Sequence, residues 1–446
     1  MIISFSCFRV VLMRYFKKSC YHFSMDTTQT LMNYCQNKKN VFITGGAGVG
    51  KTTLTRKLIQ HYEHEAKKVA KLASTGMAAT LIGGQTLHSF FDLGIAQDLE
   101  ELEQKGKLHP KKKVLKLIKS IDLLVIDEIS MVSAKLFEMV VFRLQQAEFD
   151  GVIVVVGDFL QLPPVVRGSQ NLAFAFESDA WRGCRFEKLE LRHIYRTDDK
   201  EFIELLHQVR FSQVDEKVHN TLNSFIKPLP NELKHFTFLF GKNSSASRYN
   251  KEQLEGLEGE IFVLEAQIVE HKKGLSPQIV ERFLTDARIE KELFLKVGAP
   301  VLFTRNAWNY FNGERGVVLT IDEQYVYVQK GDGKVVKLER VVQDKTQWSE
   351  KTVQGKKEMV EEAVVSVYQF PIKLAFAITI HKSQGMSIEN LIIQTNEIFA
   401  PSQFYVALSR SSNPKTLILI APKKQWYELA FTHPKALAFV QEGEVC

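Results

Sequence analysis

Cysteine is scarce in this chain: 446 residues carry only Cys7, Cys20, Cys35, Cys184 and Cys446. None stand at C-x-x-C spacing, which argues against a structural zinc site, and an odd, sparse set does not build the disulfide framework of a small secreted domain. No apolar run reaches the roughly 18 residues that a membrane-spanning helix needs. Internal repeats and low-complexity tracts are also missing. Neither sign of charge dominates: 58 Lys and Arg against 51 Asp and Glu leave +7. That balance permits a polyanionic partner without demonstrating one. Hydrophobic residues at 45% and charged residues at 24% exclude global disorder. The expectation is a globular chain of roughly three domains, with no membrane partner, in a reducing aqueous compartment.

Residues 1–24 have four basic residues, no acidic ones and no helix or strand period. Arg9 interrupts the apolar stretch, and Lys17 and Lys18 follow it, so a secretory signal is excluded. A disordered extension, an upstream start with Met25 as the true beginning, and an acid-poor organelle presequence remain open. From residue 41 onward, short β-branched apolar segments alternate with helical ones. Val41–Thr44, Val69–Ala73, Leu123–Asp127 and Val152–Gly157 read as buried parallel strands, because a sheet covered on both faces needs apolar residues at every position. Between them, Leu54, Leu58, Ile59 and Tyr62 share one helical face. A second series follows: a helix over Asp199–Phe211 and strands near Phe236–Phe240, Asn390–Gln394 and Thr416–Ala421. Two α/β domains are expected.

Two stretches break this pattern. Residues 101–120 hold seven lysines against two glutamates and sit between strands of the first domain. Lys111–Lys113 reads either as a solvated face or as a phosphate contact. Gly316–Val342 alternates with period two around a GDG turn and reads as a small β meander. Trp181 and Phe186 are expected in the core, and Cys184 as an inert apolar residue.

Chemistry concentrates at strand ends. Gly45, Gly46, Ala47, Gly48, Val49, Gly50, Lys51 and Thr52 match G-x-x-x-x-G-K-[ST] between a strand and a helix. Glycines let the backbone curl so that its N–H groups face phosphate oxygens, and the helix N-terminus adds positive potential. Lys51 would reach the β- and γ-phosphates and the Thr52 hydroxyl would ligate Mg²⁺. Asp127 and Glu128 close an apolar strand at its carboxyl edge, where such sheets bind ligands. Asp127 suits Mg²⁺ and Glu128 suits polarising a water, against the plainer reading of two acids at a helix start. Residues 73–79 and 83–90 offer small polar groups and backbone donors. Phe90 is there either a stacking surface or a core phenylalanine. Gln161, in GDFLQLPP, falls near the γ-phosphate edge.

Taken together, IDEISMVSAKLF and VVVGDFLQLPPV resemble the petite-integration-frequency (PIF) family of DNA helicases, a RecD-like branch of superfamily one. The resemblance continues through LELRHIYRTDD (Leu189–Asp199), VGAPVLFTRN (Val297–Asn306), NGERGVV (Asn312–Val318), AITIHKSQGMSIENL (Ala377–Leu391) and YVALSR (Tyr405–Arg410). It spans residues 29 to about 420. It implies two RecA-like P-loop domains, at 25–190 and at 191–308 with 372–430. A wedge insert would lie at about 92–118, a Src-homology-like β-barrel insert at 309–371 and a tail at 431–446. ATP and Mg²⁺ would sit between the two motor domains. The resemblance makes Lys51, Glu128, Gln161, Arg196 and Arg410 the catalytic set, the two arginines reaching in from the second domain. It adds Gln29 at an adenine-recognising position, with Thr53, Gln384 and Gly385, to the nucleotide site. Thr75, Gly76, His88, Ser89, Phe90, Pro164, His381 and Ser383 map to a DNA track.

The activity implied is 5′-to-3′ unwinding of DNA by a monomer acting on single strands and forked duplexes, in repair, recombination or replication. The rivals are a single-strand translocase or RNA-directed ATPase that does not unwind, and a non-hydrolysing DNA-binding module. The compact core, without large accessory domains, points to a bacterial or viral cytoplasm, with mitochondrion or nucleus as the eukaryotic alternatives.

Overall fold

The computed structural model describes residues 25–441, apart from 76, 77, 80, 81, 166–171, 273, 288, 306, 323, 354 and 355. The expected N-terminal extension, Gly76 and the end of the expected tail lie outside the described residues. The first domain is built on a six-stranded, all-parallel sheet. Its strands are β1 (Val41–Thr44), β2 (Val69–Ala73), β3 (Gln85–Thr86), β4 (Leu123–Asp127), β5 (Val152–Val156) and β6 (Glu187–Glu190), in the order β3-β2-β4-β5-β1-β6. Strands β1, β4 and β5 are buried at every position, as a sheet sandwiched between helical layers requires. Helix Lys51–His64 buries Leu54, Leu58, Ile59 and Tyr62 on one side, each worth roughly 1.5–3 kcal/mol when fully removed from water. On the other side lies helix Ala134–Gln146, capped by Ser133, whose hydroxyl accepts from the Leu136 N–H at 3.2 Å. Trp181 and Phe186 are core residues here.

The basic insert folds as two short helices, Leu99–Gln104 and Lys112–Lys119. It is anchored by Arg143, which has no exposed surface and donates to the carbonyls of Phe91, Lys107 and Leu108. A buried guanidinium is tolerated because its fork of N–H groups satisfies several orphan carbonyls at once.

The second α/β domain carries a four-stranded parallel sheet in the order Ala377–Thr379, Thr237–Phe240, Leu391–Ile393, Leu417–Leu419. The meander is present as Arg315–Ile321, Val326–Lys330 and Val335–Leu338, antiparallel throughout. The β unit around it is larger than the expected 309–371. Pro300–Phe303 and Ile372–Leu374 complete its five-stranded sheet. Leu264, Leu293 and Leu295, from a paired ribbon at 262–295, share its core. A long hairpin, Val341–Val353 with Lys356–Gln369, pairs with Gln267–Glu270. The expected second-domain segment 191–308 therefore gives up its last third to this unit. The expected tail is also corrected: Pro434–Gln441 is a helix docked on the first domain. Among the described residues no helix is long and apolar enough to cross a membrane.

Candidate functional site

The glycine-rich loop leaves β1 and turns into helix Lys51–His64 over a bend that only glycine fits. Gly45 has φ 136°, and a Cβ there would lie 2.2 Å from the Leu191 carbonyl oxygen. Gly48 has φ 77°, and its Cβ would meet that of Arg196 at 2.8 Å. The loop is thus pressed against the segment that leads into the second domain. Lys51 Nζ donates to the carbonyls of Gly45 at 2.7 Å and Gly46 at 2.9 Å. Burial lowers its pKa against the pull of Asp158, Glu128 and Asp127. A desolvated ammonium beside a curled backbone is a site prepared for an anion.

Around this loop lies a cavity of about 1180 Å³ whose walls come from both α/β domains. Ala47–Thr53, Arg56, Glu128 and Gln161 line it from the first, and Arg196, Gly385 and Arg410 from the chain beyond β6. Its outer end reaches the β unit at Asn312–Val317 and Gln329–Gly333. Glu128 follows β4 in the left-handed region, φ 52° and ψ 48°, a conformation uncommon for a residue with a side chain. Burial, and then the neighbouring Asp127 carboxylate, push its carboxyl up to about 7, near the range that suits a general base. Asp127 is also raised by burial, and one of its oxygens accepts the Glu128 N–H at 2.9 Å. Arg196 donates to Ser387 Oγ at 2.9 Å and to the Ser409 carbonyl at 2.6 Å. Arg410 is 2% exposed and donates to the carbonyls of Val406 and Ser383 and to Ser409 Oγ. Burial and the adjacent Arg196 lower its pKa to about 9. A buried guanidinium with a second, half-buried one beside it favours an anion at this end of the cavity.

Four expected nucleotide residues, Gln29, Gly45, Gly46 and Gln384, stand apart from this lining. Gln29 is exposed on helix Met25–Gln36 and donates to Asn33 Oδ1 at 3.0 Å. Gly45 and Gly46 present their carbonyls to Lys51. Gln384 is adjacent to Gly385, with its amide nitrogen buried and without a hydrogen-bond partner.

A second cavity of about 470 Å³ collects His88, Ser89 and Phe90 with Lys111, Lys113, Arg282, Lys345 and Trp348. It lies between the first domain, its basic insert and the long hairpin. Other expected track residues are not in that lining. Thr75 Oγ1 accepts the Ala78 N–H at 3.3 Å, Pro164 is buried and His381 is half-buried. Two of the expected track residues are enclosed. Phe90 is 5% exposed and set edge-on to Phe91 at 5.0 Å, so it forms a wall and not an open stacking face. The Ser383 side chain is fully enclosed and its hydroxyl donates to the Ile380 carbonyl at 2.7 Å, which leaves it nothing to offer a phosphate.

Sequence reasoning assigned no role to three residues that join the two α/β domains. Arg210, on helix Lys200–Arg210, grips Asp158 with Nη2 at 2.8 Å and Nε at 3.1 Å. Burial opposes ionisation of Asp158, yet the guanidinium outweighs it and holds the carboxyl below its ordinary value. Gln161 Nε2 donates to the same carboxylate at 3.3 Å. The Tyr405 hydroxyl accepts the Ala47 N–H at 2.9 Å. Asp158 and Tyr405 lie inside quoted motifs. The one signal for Arg210 was a cation next to the inward Val209.

Residues 26–220 match the PIF1-like helicase family. The ATP-dependent DNA helicase Pif1 of Campylobacter jejuni is 41% identical over 406 residues, covering 86% of this chain and 89% of that protein. The structure of unliganded Pif1 from Bacteroides sp superposes with a TM-score of 0.79 at 28% identity, over 94% of this chain and 98% of that one. The Bacteroides Pif1 bound to single-stranded DNA covers the same shares at the same identity but superposes at 0.62.

Proposed function

Because the chain belongs to the PIF1-like helicase family, we propose that it is an ATP-dependent DNA helicase that moves 5′ to 3′ on a single strand and unwinds duplex at a fork. The observation that carries this reading is one cavity lined by Lys51, Glu128 and Gln161 from the first motor domain and by Arg196 and Arg410 from the second. Lys51 and the loop N–H groups bind the phosphates. Glu128, with its raised pKa, takes a proton from the attacking water, and Gln161 orients that water. Arg196 and Arg410 meet the charge that develops on the γ-phosphate, which links hydrolysis to the approach of the two domains.

A hydroxyl and a single carboxylate, Thr52 and Asp127, are the hard, sparse donor set that suits Mg²⁺, which keeps most of its waters and takes its other ligands from phosphate. Among the described residues no cluster of three or more His, Cys, Asp or Glu offers a richer metal site. The ion would neutralise phosphate charge when bound. The basic insert with Lys111 and Lys113 serves as the strand-separating wedge, and the β unit as the barrel beside it. The working form is a monomer.

The test is ATP hydrolysis with and without single-stranded DNA, together with unwinding of forks carrying either a 5′ or a 3′ loading strand. Stimulation by DNA and opening from the 5′ strand alone are expected. Hydrolysis without strand opening would leave the translocase reading, and no hydrolysis would leave a DNA-binding module.

A further inference from the structure

The chain turns back on itself at its end. Helix Trp426–Leu429 closes the second domain's core, and residues 431–433 then leave that domain to deliver helix Pro434–Gln441 to the first. The crossing is pinned on both sides. On the second domain, Ser402 N–H donates to the Phe431 carbonyl at 2.7 Å and Thr432 N–H to Ser212 Oγ at 2.8 Å. The Thr432 hydroxyl, itself buried, donates to the carbonyl of Arg210 at 3.0 Å. On the first domain, Ala436 is fully buried and Lys435 pairs with Glu177. Phe439 stacks on Phe176 at 4.1 Å and meets Phe159 edge-on at 5.3 Å.

Those anchor points are not arbitrary. Arg210 is the cation that grips Asp158 across the domain boundary. Phe159 is the next residue after Asp158, two before Gln161 in the cavity wall. One segment of eleven residues therefore holds the backbone of Arg210 at one end and backs the GDFLQ loop at the other.

We propose that residues 431–441 form a strap that positions the GDFLQ loop, with Thr432 and Phe439 as positioning residues for hydrolysis. The Phe439 ring fills the space behind Phe159, so Asp158 and Gln161 keep their places when the second domain moves. Thr432 ties that movement to Arg210. This rests on the ATPase reading of the cleft, but the strap also has a signature that needs no turnover.

The experiment compares the parent chain with Phe439→Ala, Phe439→Leu and Thr432→Val. DNA-stimulated kcat and KM for ATP are measured, along with amide hydrogen exchange over residues 157–162 in the nucleotide-free protein. Phe439→Ala is expected to lower kcat by about 10- to 100-fold, the scale for a misplaced group acting at a distance, with KM within about twofold. Exchange over 157–162 should quicken, Phe439→Leu should restore most of both, and Thr432→Val should lower kcat in the same sense. Parental kcat and parental exchange in Phe439→Ala would overturn the strap. So would exchange that quickens evenly over the whole first domain, since that marks only lost packing. A parent that hydrolyses nothing would sink the ATPase reading, while the exchange result would still decide the strap.

Discussion

Replacing Arg210 by Met should cost this protein about 3 kcal/mol, and the structure says why. The Asp158 side chain has no exposed surface and that of Arg210 is 9% exposed, so both charges have left water. Their two-pronged contact at 2.8 and 3.1 Å offsets that desolvation. Removing one partner of a buried pair costs about 3–5 kcal/mol, because the other is left as an uncompensated charge. Asp158 keeps hydrogen bonds from the Leu160 N–H at 3.1 Å and Gln161 Nε2 at 3.3 Å, which places the loss at the lower end of that range. The assay is urea unfolding followed by far-UV circular dichroism, read as a shift in midpoint at unchanged slope. The sign of the pH dependence follows from Asp158, whose pKa in the folded parent is held below the ordinary aspartate value. Its contribution is therefore present above about pH 3.9 and lost as pH falls through the depressed value. The penalty in the variant should be steady from about pH 6 to 8 and shrink toward pH 4, as the stranded carboxyl takes up a proton. Asp158→Leu combined with Arg210→Met should regain most of the loss, since an apolar pair of similar volume is close to neutral. A loss under about 1 kcal/mol in the single variant, or a double variant no better than the single, would refute the reasoning.

Lys51→Ala should abolish hydrolysis while the urea midpoint stays within about 1 kcal/mol of the parent; near-parental turnover would remove the phosphate-binding role of the loop. Glu128→Gln should still bind labelled ATP on a filter yet lose about 10²-fold or more in turnover. Because the Glu128 pKa is raised in the folded chain, the metal-free parent should lose stability as pH rises through about 7, and the glutamine variant should flatten that slope. Arg410→Lys, which keeps the charge and so limits structural damage, should lower DNA-stimulated turnover by about 10³-fold with ATP affinity nearly unchanged. Lys113→Ala should leave hydrolysis intact and make the salt dependence of DNA affinity shallower by about one unit, and an unchanged slope would place Lys113 away from any phosphate.

The sequence makes legible whatever is decided by local pattern. Val152–Val156 is apolar at five successive positions and could only be a strand buried on both faces. The loop Gly45–Thr52 carries its own geometry in its glycines. Edge strand β6 was less visible, because three of its four residues, Glu187, Lys188 and Glu190, are charged and only Leu189 is apolar. The long hairpin escaped for a related reason: its polar and charged run, QDKTQWSEK, has an apolar side only where Trp348 meets the first domain. Arg143 and Arg210 were illegible in principle. An arginine reads as surface until its partners are known, and apart from Gln146 beside Arg143 theirs lie between 35 and 52 residues away, at Lys107, Leu108, Phe91 and Asp158. Gln29 shows the converse, a residue placed by resemblance whose neighbours in this structure are those of an ordinary exposed helix.

The fate of Phe90 follows from where the long hairpin rests. Gln85 Nε2 donates to Thr346 Oγ1 at 2.9 Å and to Glu361 Oε1 at 3.2 Å, while Trp348 and Met359 join the first domain's core. With the hairpin seated there, His88, Ser89 and Phe90 line a cavity that the hairpin walls on one side. Among the described residues, two hydrogen bonds and two large side chains are prominent in this seam. Contacts of that kind resemble a transient interface more than a domain core, and relative movement is the physical default for such a seam. Of the residues expected on a DNA track, His88, Ser89 and Phe90 thus share one cavity, whereas Thr75, Pro164, His381 and Ser383 lie outside its lining. The same side chains that close the seam, Trp348 and Met359, are the ones whose apolar surface must find another place when it opens.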